Sequence, residues 1–321
     1  MRIAKLLALA AATFAFAVPA FAQGKFPTRT VTMVVPYPPG GSNDIFARAL
    51  AKRLSDAWSQ PVIVENKPGA GGSIGAAVVN KSAPDGYTIM LLSSSFTTGA
   101  AIQPSWPFDP VKGFTPLAMV ARGPMVLTVN NNVPAKNIAE FVALARSKPG
   151  KLNYGSSGTG STNHFATELF TAASGLQMTH VPYKGMGPAT ADVIAGHIDV
   201  LVASAPSIMQ HVRSGKVRGI GVTSKGPSSV VPELPPLSGV APGFAFDLWW
   251  GVLAPPNMPK DLATAINAEI NRILGTADMK EILAREGTEP YVVTPAEAQE
   301  IVRSEIEEWK KVAARAKIKV E

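Results

Sequence analysis

No cysteine occurs anywhere in the 321 residues. That removes disulfides, thiol nucleophiles, cysteine-ligated zinc and iron–sulfur clusters from consideration. Histidine is scarce. His164, His180, His197 and His211 are the four, and none stands in HExxH or another tight ligand spacing. The last three read as structural surface residues, so no metal site is expected. G-x-G-x-x-G is missing at 39–44, G-K-[ST] is missing throughout, and neither "GSSGTG" nor "YGSSG" has the G-x-S-x-G elbow spacing. Asp44, Asp109 and Asp199 show no paired-acid spacing. Beyond residue 22, charge, Gly or Pro breaks every apolar stretch before it reaches spanning length. The formal charge of +7 comes without a dense basic cluster or aromatic–basic interleaving, so no nucleic-acid partner is expected. It weakly favours an anionic small solute, and a solvated basic surface explains it equally.

The first 22 residues read as a leader. Arg2 and Lys5 precede the apolar run Leu6–Val18, and Ala20-Phe21-Ala22 supplies small-residue cleavage positions before Gln23. Removing 22 residues from 321 leaves 299, enough for two cores. The expected product is exported, soluble and periplasmic. With 46% hydrophobic residues, the composition is that of a globular chain.

Residues 30–36 predict a buried strand, 36–41 a turn, 43–58 a helix, 61–66 a second strand, 67–79 a glycine loop feeding a helix, and 86–94 a third strand. That order is the pattern of a parallel sheet flanked by helices. A new stretch starts at 124–130. "LNYGSSGTGSTNHFATELFTAAS" then repeats strand, Gly/Ser loop and helix. A helix at 188–196, a strand at 197–204, a further helix and strand, a Pro-rich loop at 226–242 and three closing helices follow. Thr294 and Glu297 form a capping box at the last helix. The loose echo between halves predicts two α/β lobes.

Gly40 and Gly41 let the backbone approach a ligand closely. Ser42 can cap the following helix, whose amides and dipole favour an anion. Asp44 would repel that anion unless water or an ammonium intervenes. Tyr37 offers a hydroxyl and a face. The same loop also reads as a plain connector, with Ser42 a cap and Tyr37 packing. The run Ser156, Ser157, Gly158, Thr159, Gly160, Ser161, Thr162 carries hydroxyls at every position but its glycines. His164, one turn on, either donates to a ligand or satisfies the loop. Two such loops on two lobes predict a cleft that grips a small anion from both sides.

Four stretches carry a family resemblance. They are "FPTRTVTMVVPYPPGGSNDIFARALAKRLSDAWSQPVIVENKPGAGGSIGAAVVNKSAPDGYTIML", "LNYGSSGTGSTNHFATELF", "THVPYKGMGPATADVIAGHIDVLV" and "LWWGVLAPPNMP". Together they resemble the substrate-binding proteins of tripartite tricarboxylate transporters, the Bug proteins, over essentially the whole mature chain. The resemblance implies a type II periplasmic-binding-protein fold. Two α/β lobes, 25–125 with 248–321 and 126–247, would close a ligand cleft about a hinge at the crossings near 125 and 247. By motif match, Tyr37, Gly41, Ser42 and Asp44 would line lobe one. Ser156, Gly160, Ser161, Thr162 and His164 would line lobe two. Lys184, Gly185 and Gly187 would border the cleft, with Ser204 and Ala205 at a strand end. Ser94, Ser95 and Phe96 would meet the distal part of the ligand. Tyr37 stands where relatives often carry Phe.

The implied protein is a monomeric solute receptor without catalytic residue or cofactor. It would deliver a small carboxylate to a permease of one large and one small subunit. A receptor serving a signalling system and an exported hydrolase acting through Ser161 are the alternatives. Loops 37–43, 93–99 and 156–163 hold no basic residue, which predicts one firmly held carboxylate instead of a fully charge-paired citrate. Arg122 and Lys184 are the nearest cations for a second anion.

Overall fold

Strands β1 (Val31–Val35) and β3 (Thr88–Ser93) are apolar along nearly their whole length because helices cover both faces of the sheet they share. The computed structural model describes residues 26–102 and 106–316, and the expected leader at 1–22 lies outside them. β1 pairs in parallel with β2 (Val62–Asn66) on one side and with β3 on the other. Helix α1 (Ser42–Trp58) follows β1, α2 (Ser73–Asn80) follows β2, and α3 (Ser95–Ile102) follows β3.

The second half repeats the plan after α4 (Ile138–Ser147). Strand β5 (Asn153–Ser156) leads into α5 (Thr162–Ser174). β6 (Thr179–Pro182) leads into α6 (Met186–Ala195), and β7 (Val200–Ser204) into α7 (Ala205–Arg213). β5 pairs in parallel with both β6 and β7. The halves are thus two α/β lobes.

Two antiparallel strands join them. β4 (Thr115–Val129) pairs over Thr115–Pro124 with β9 (Asp247–Ala254), and over Met125–Val129 with β7 and with β8 (Arg218–Val222). It changes partners between Pro124 and Met125. β9 in turn pairs with β3. The order across the sheet is β2-β1-β3-β9-β4-β7-β5-β6, and the short β10 (Glu289–Pro290) also pairs with β4. Sequence reading starts this strand only at 124, because Pro116 and Arg122-Gly123-Pro124 read as breakers. Register shifts at Pro116/Ala118 and Met119/Ala121 are the bulges that relieve the ladder near the first of them.

Helix α3 is a second departure. Its sequence, "SFTTGAAI", is rich in weak helix formers, and sequence reading ends the strand at 94 without assigning a helix after it. Tertiary contacts hold the helix. Phe96 packs edge-on against Trp106 and Phe114, with centroids 4.9 and 5.6 Å away. Thr97 Oγ1 donates at 2.8 Å to Glu305, on the closing helix α10 (Pro295–Ala316). Burial lifts that carboxyl to about 7. The remaining helices, α8 (Lys260–Leu274) and α9 (Ala277–Arg285), return to the first lobe. The capping box at α10 forms as the sequence predicts. Thr294 N–H donates to Glu297 at 2.7 Å, and Glu297 N–H donates to Thr294 Oγ1 at 3.2 Å.

Candidate functional site

The carboxyl ends of β1, β2, β3, β5, β6 and β7 all open on one cavity of about 630 Å³. In parallel α/β sheets this is where the loops spread apart and ligands sit. Pro36–Pro38 and Gly41–Asn43 line it from the β1–α1 turn, and Pro68–Gly72 from the β2–α2 turn. Ser93, Ser95 and Gly99 line it from the third. Ser157–Asn163, Tyr183–Gly187, Ser204 and Ser207 face them from the other lobe. Met125 and Leu248 come from the joining strands. Two contacts bridge the lobes at the cavity. Ser95 Oγ lies 2.6 Å from Thr162 Oγ1, and Gly185 lies against the Pro38 ring.

Helices that start at the cavity leave their first amides uncapped by side chains. The residues preceding α1, α2, α5, α6 and α7 are Gly41, Gly72, Ser161, Gly185 and Ser204, and none makes a side-chain cap bond. Serine is among the best capping residues. Yet Ser161 Oγ donates to the Gly158 carbonyl at 2.6 Å, and Ser204 Oγ lies 2.9 Å from Ser207 Oγ. Elsewhere Asn137, Thr276 and Thr294 do cap their helices. Only α8, entered through Pro259, is uncapped away from the cavity among the helices with a described cap. The cavity therefore collects positive helix ends whose donors are left for an anion.

Its side chains add little charge. Lys184, exposed at the rim, is the one charged residue among the described residues that line the cavity. Arg122 is not among them: it pairs with Glu289 at 2.6 Å and lies over the Tyr291 ring. Burial pushes the Tyr37 phenol well above its usual value, with a hydrogen bond to Ser95 opposing, so it stays a neutral hydroxyl. Trp250 Nε1 donates to Ser42 Oγ at 3.1 Å and fixes the start of α1.

Tyr37, Gly41, Ser42, Ser95, Gly160, Ser161, Thr162, Lys184, Gly185, Gly187 and Ser204 line the cavity. Asp44, Ser94, Phe96, Ser156, His164 and Ala205 do not. Asp44 turns back to accept from Gly40 N–H at 3.2 Å and to pair with Arg48 at 2.9 Å. Burial opposes its ionisation. Hydrogen bonds from Arg48, the Gly40 amide and Asn66 prevail and hold the carboxyl below its usual range. The expected repulsion of a ligand anion is thus muted by an arginine. Ser94, in the turn between β3 and α3, is buried, and its N–H donates to the Trp249 carbonyl at 3.1 Å. Phe96 belongs to the aromatic cluster under α3, and Ala205 packs beneath Gly287.

His164 and Ser156 stand behind the loop. Gly160 N–H donates to His164 Nδ1 at 3.1 Å, so the loop is satisfied from within. Ser156 Oγ lies 2.6 Å from Nε2 of His180, whose ring stacks on that of His164 at 4.0 Å. The Tyr154 ring lies 4.9 Å from that of His180, and its hydroxyl donates to Glu168. His180 is therefore a member of a half-buried stack, not a surface residue.

Sequence reading missed Asn43, the Pro68–Gly72 turn, Ser93, Gly99, Asn163, Tyr183, Met186 and Ser207 as lining residues, along with Met125 and Leu248. The glycine turn carries the same signal as its neighbours and could have been found. The two strand residues carry no local signal. The described residues contain no cluster of His, Asp or Glu able to hold a metal ion, and no helix long and apolar enough to cross a membrane.

The histidine stack makes stability depend on pH. Burial lowers both rings to about 4 from 6.5, with His164 adding to the effect at His180. Between those values the unfolded chain binds more protons than the folded one. Stability is therefore complete above about pH 6.5 and lost as pH falls toward 4. Discounted for the water that reaches these rings, the loss is about 2 kcal/mol. Melting curves from pH 7 to 4 should show His180→Phe with a shallower decline than wild type; equal slopes would remove the stack as the cause.

The family model described as "Tripartite tricarboxylate transporter family receptor" matches residues 46–318. Protein BugT of Bordetella pertussis (strain Tohama I) is 34% identical over 311 residues, spanning 96% of this chain and 95% of that one. R. palustris Rpa4515, solved with adipate, superposes with a TM-score of 0.88 at 34% identity, covering 92% of this chain and 99% of its own. MatC from Rhodopseudomonas palustris, solved with bound malate, gives a TM-score of 0.82 at 30% identity over 89% and 99%.

Proposed function

This chain belongs to the tripartite tricarboxylate transporter receptor family, whose members are periplasmic solute-binding proteins and not enzymes, and we propose that it captures a small carboxylate between its lobes and delivers it to a membrane permease of one large and one small subunit. The observation that carries this reading is the set of uncapped helix starts converging on a cavity whose only lining charge, among the described residues, is Lys184. A carboxylate spread over these amides needs no buried arginine. Relatives solved with adipate and with malate support a dicarboxylate. One carboxylate would sit between the starts of α1 and α5 and the other near Lys184. The lobes, 25–125 with 248–321 and 126–247, would hinge where β4 changes partners. Closing them excludes water and strengthens each polar contact.

A thermal-shift screen of refolded protein against adipate, malate, citrate, acidic amino acids and aromatic carboxylates tests this. Ligand at a hundredfold its Kd adds about 2.7 kcal/mol, a rise of roughly 5–10 °C. No rise with any member would overturn the reading. Lys184→Gln should weaken dicarboxylates about three- to tenfold at low salt and leave monocarboxylates unchanged, because an exposed cation is screened and contributes modestly. Equal losses for both classes would show that Lys184 does not face the second carboxylate.

A further inference from the structure

Among the described residues, the buried side-chain atoms without a partner in the protein include two on residues lining the cleft, Oδ1 of Asn43 and Nδ2 of Asn163. Each is the second residue of a helix that starts at the cleft, α1 and α5. Asn43 is 9% exposed and Asn163 2%. They differ in what holds them. The orientation of Asn43 rests on a 3.4 Å contact from Nδ2 to Ser93 Oγ. A hydroxyl donates or accepts, so this amide can turn to suit what arrives. Asn163 cannot. Its Oδ1 accepts from Ser157 Oγ at 2.8 Å and from Ser157 N–H at 3.4 Å. A backbone N–H only donates, so the carbonyl end is committed and the NH₂ end is the one left over.

Resting on the carboxylate reading above, we propose that Asn163 is a specificity-determining residue whose Nδ2 donates to a ligand oxygen held at the start of α5. A buried amide group left without a partner is costly in a folded protein. Here it stands beside amides already poised for an anion. The side chain thus demands an acceptor: a carboxylate or carbonyl oxygen satisfies it, and an amide NH₂ in that place does not.

Asn163→Asp is the sharpest test. It keeps the acceptor that Ser157 uses, and a carboxylate is favourable in a first helical turn, so the fold is retained. Calorimetry with adipate and malate, each beside its monoamides, reads the outcome. Affinity for the acids should fall roughly 50-fold or more, with a smaller loss for the monoamides. Acid affinity within about threefold of wild type, or equal losses for acids and amides, would overturn the assignment. If N163D does not fold, Asn163→Ala serves, with a loss of about tenfold expected and unchanged affinity overturning the proposal. A wild type that binds no carboxylate in the wider screen removes the underlying reading, and this inference with it.

Discussion

Gly185→Val is expected to lower carboxylate affinity by roughly 100-fold or more, while the empty protein loses only a few degrees in Tm. Two features act together. Gly185 sits at φ +129 and ψ 171, a region essentially closed to other residues, where a side chain costs about 1–3 kcal/mol. A Cβ there would also stand 2.9 Å from Cγ of Pro38, in the opposite lobe. The proline ring cannot swing aside as the end of a flexible chain could. Relief comes from parting the lobes, and with them the two walls of the cleft. The backbone strain falls on both forms and lowers Tm; on the closure proposed above, the Pro38 clash falls mostly on the closed, ligand-holding form. Gly187→Ala is the control, since a Cβ there meets nothing within 4 Å. Titrating both variants with the solute found in the screen checks the claim. If G185V and G187A bind alike, the Pro38 contact has no part in closure.

The second large effect is on stability. Trp250→Ala should cost about 3–5 kcal/mol, or a fall in Tm on the order of 10 °C. Trp250 is fully buried on β9, between β3 and β4, and its ring meets Phe46 of α1 edge-on at 4.9 Å. Removing the indole opens a cavity beneath α1 and takes away the donor to Ser42 Oγ. Trp250→Phe separates the two contributions. It restores most of the volume and leaves the Ser42 hydroxyl, 8% exposed as a residue, without its partner, at about 1–2 kcal/mol. Paired denaturant curves measure both steps. A W250A protein as stable as W250F would mean that the cavity closes on itself and that packing contributes less than the hydrogen bond.

Elements whose instructions are local were legible in the sequence. Strand β1 with its turn, strand β5 with its hydroxyl loop, and the capping box at Thr294 each depend on neighbours a few residues away. The bond from Thr294 N–H to Glu297 is a contact across three positions. Helix α3 and the first part of β4 were not legible, because their local signals point elsewhere. "SFTTGAAI" is helical since Phe96 and Thr97 are held by Trp106, Phe114 and Glu305, all remote from the strand it follows. Pro116 remains in a strand because a register shift beside it relieves the ladder.

By itself the chain's composition and pattern determined several things. Without cysteine there is no thiol, disulfide or cluster chemistry. Repeated strand, glycine turn and helix specified paired α/β lobes, since hydrophobic period and turn residues act over short range. Hydroxyl-rich turns pointed to anion capture, since Ser and Thr carry their donors wherever the chain goes. Tertiary structure alone decided which donors face the cleft. Asp44 and His164 lie in the right loops and turn away, because Arg48 with Gly40, and Gly160 with His180, hold them there. Asn163 and the Pro68–Gly72 turn were brought in by the convergence of helix starts from both lobes. A side chain's direction is set by what packs behind it. For Asp44 the partners lie four residues away on either side, and for His164 they are Gly160, four residues back, and the ring of His180 from the next strand.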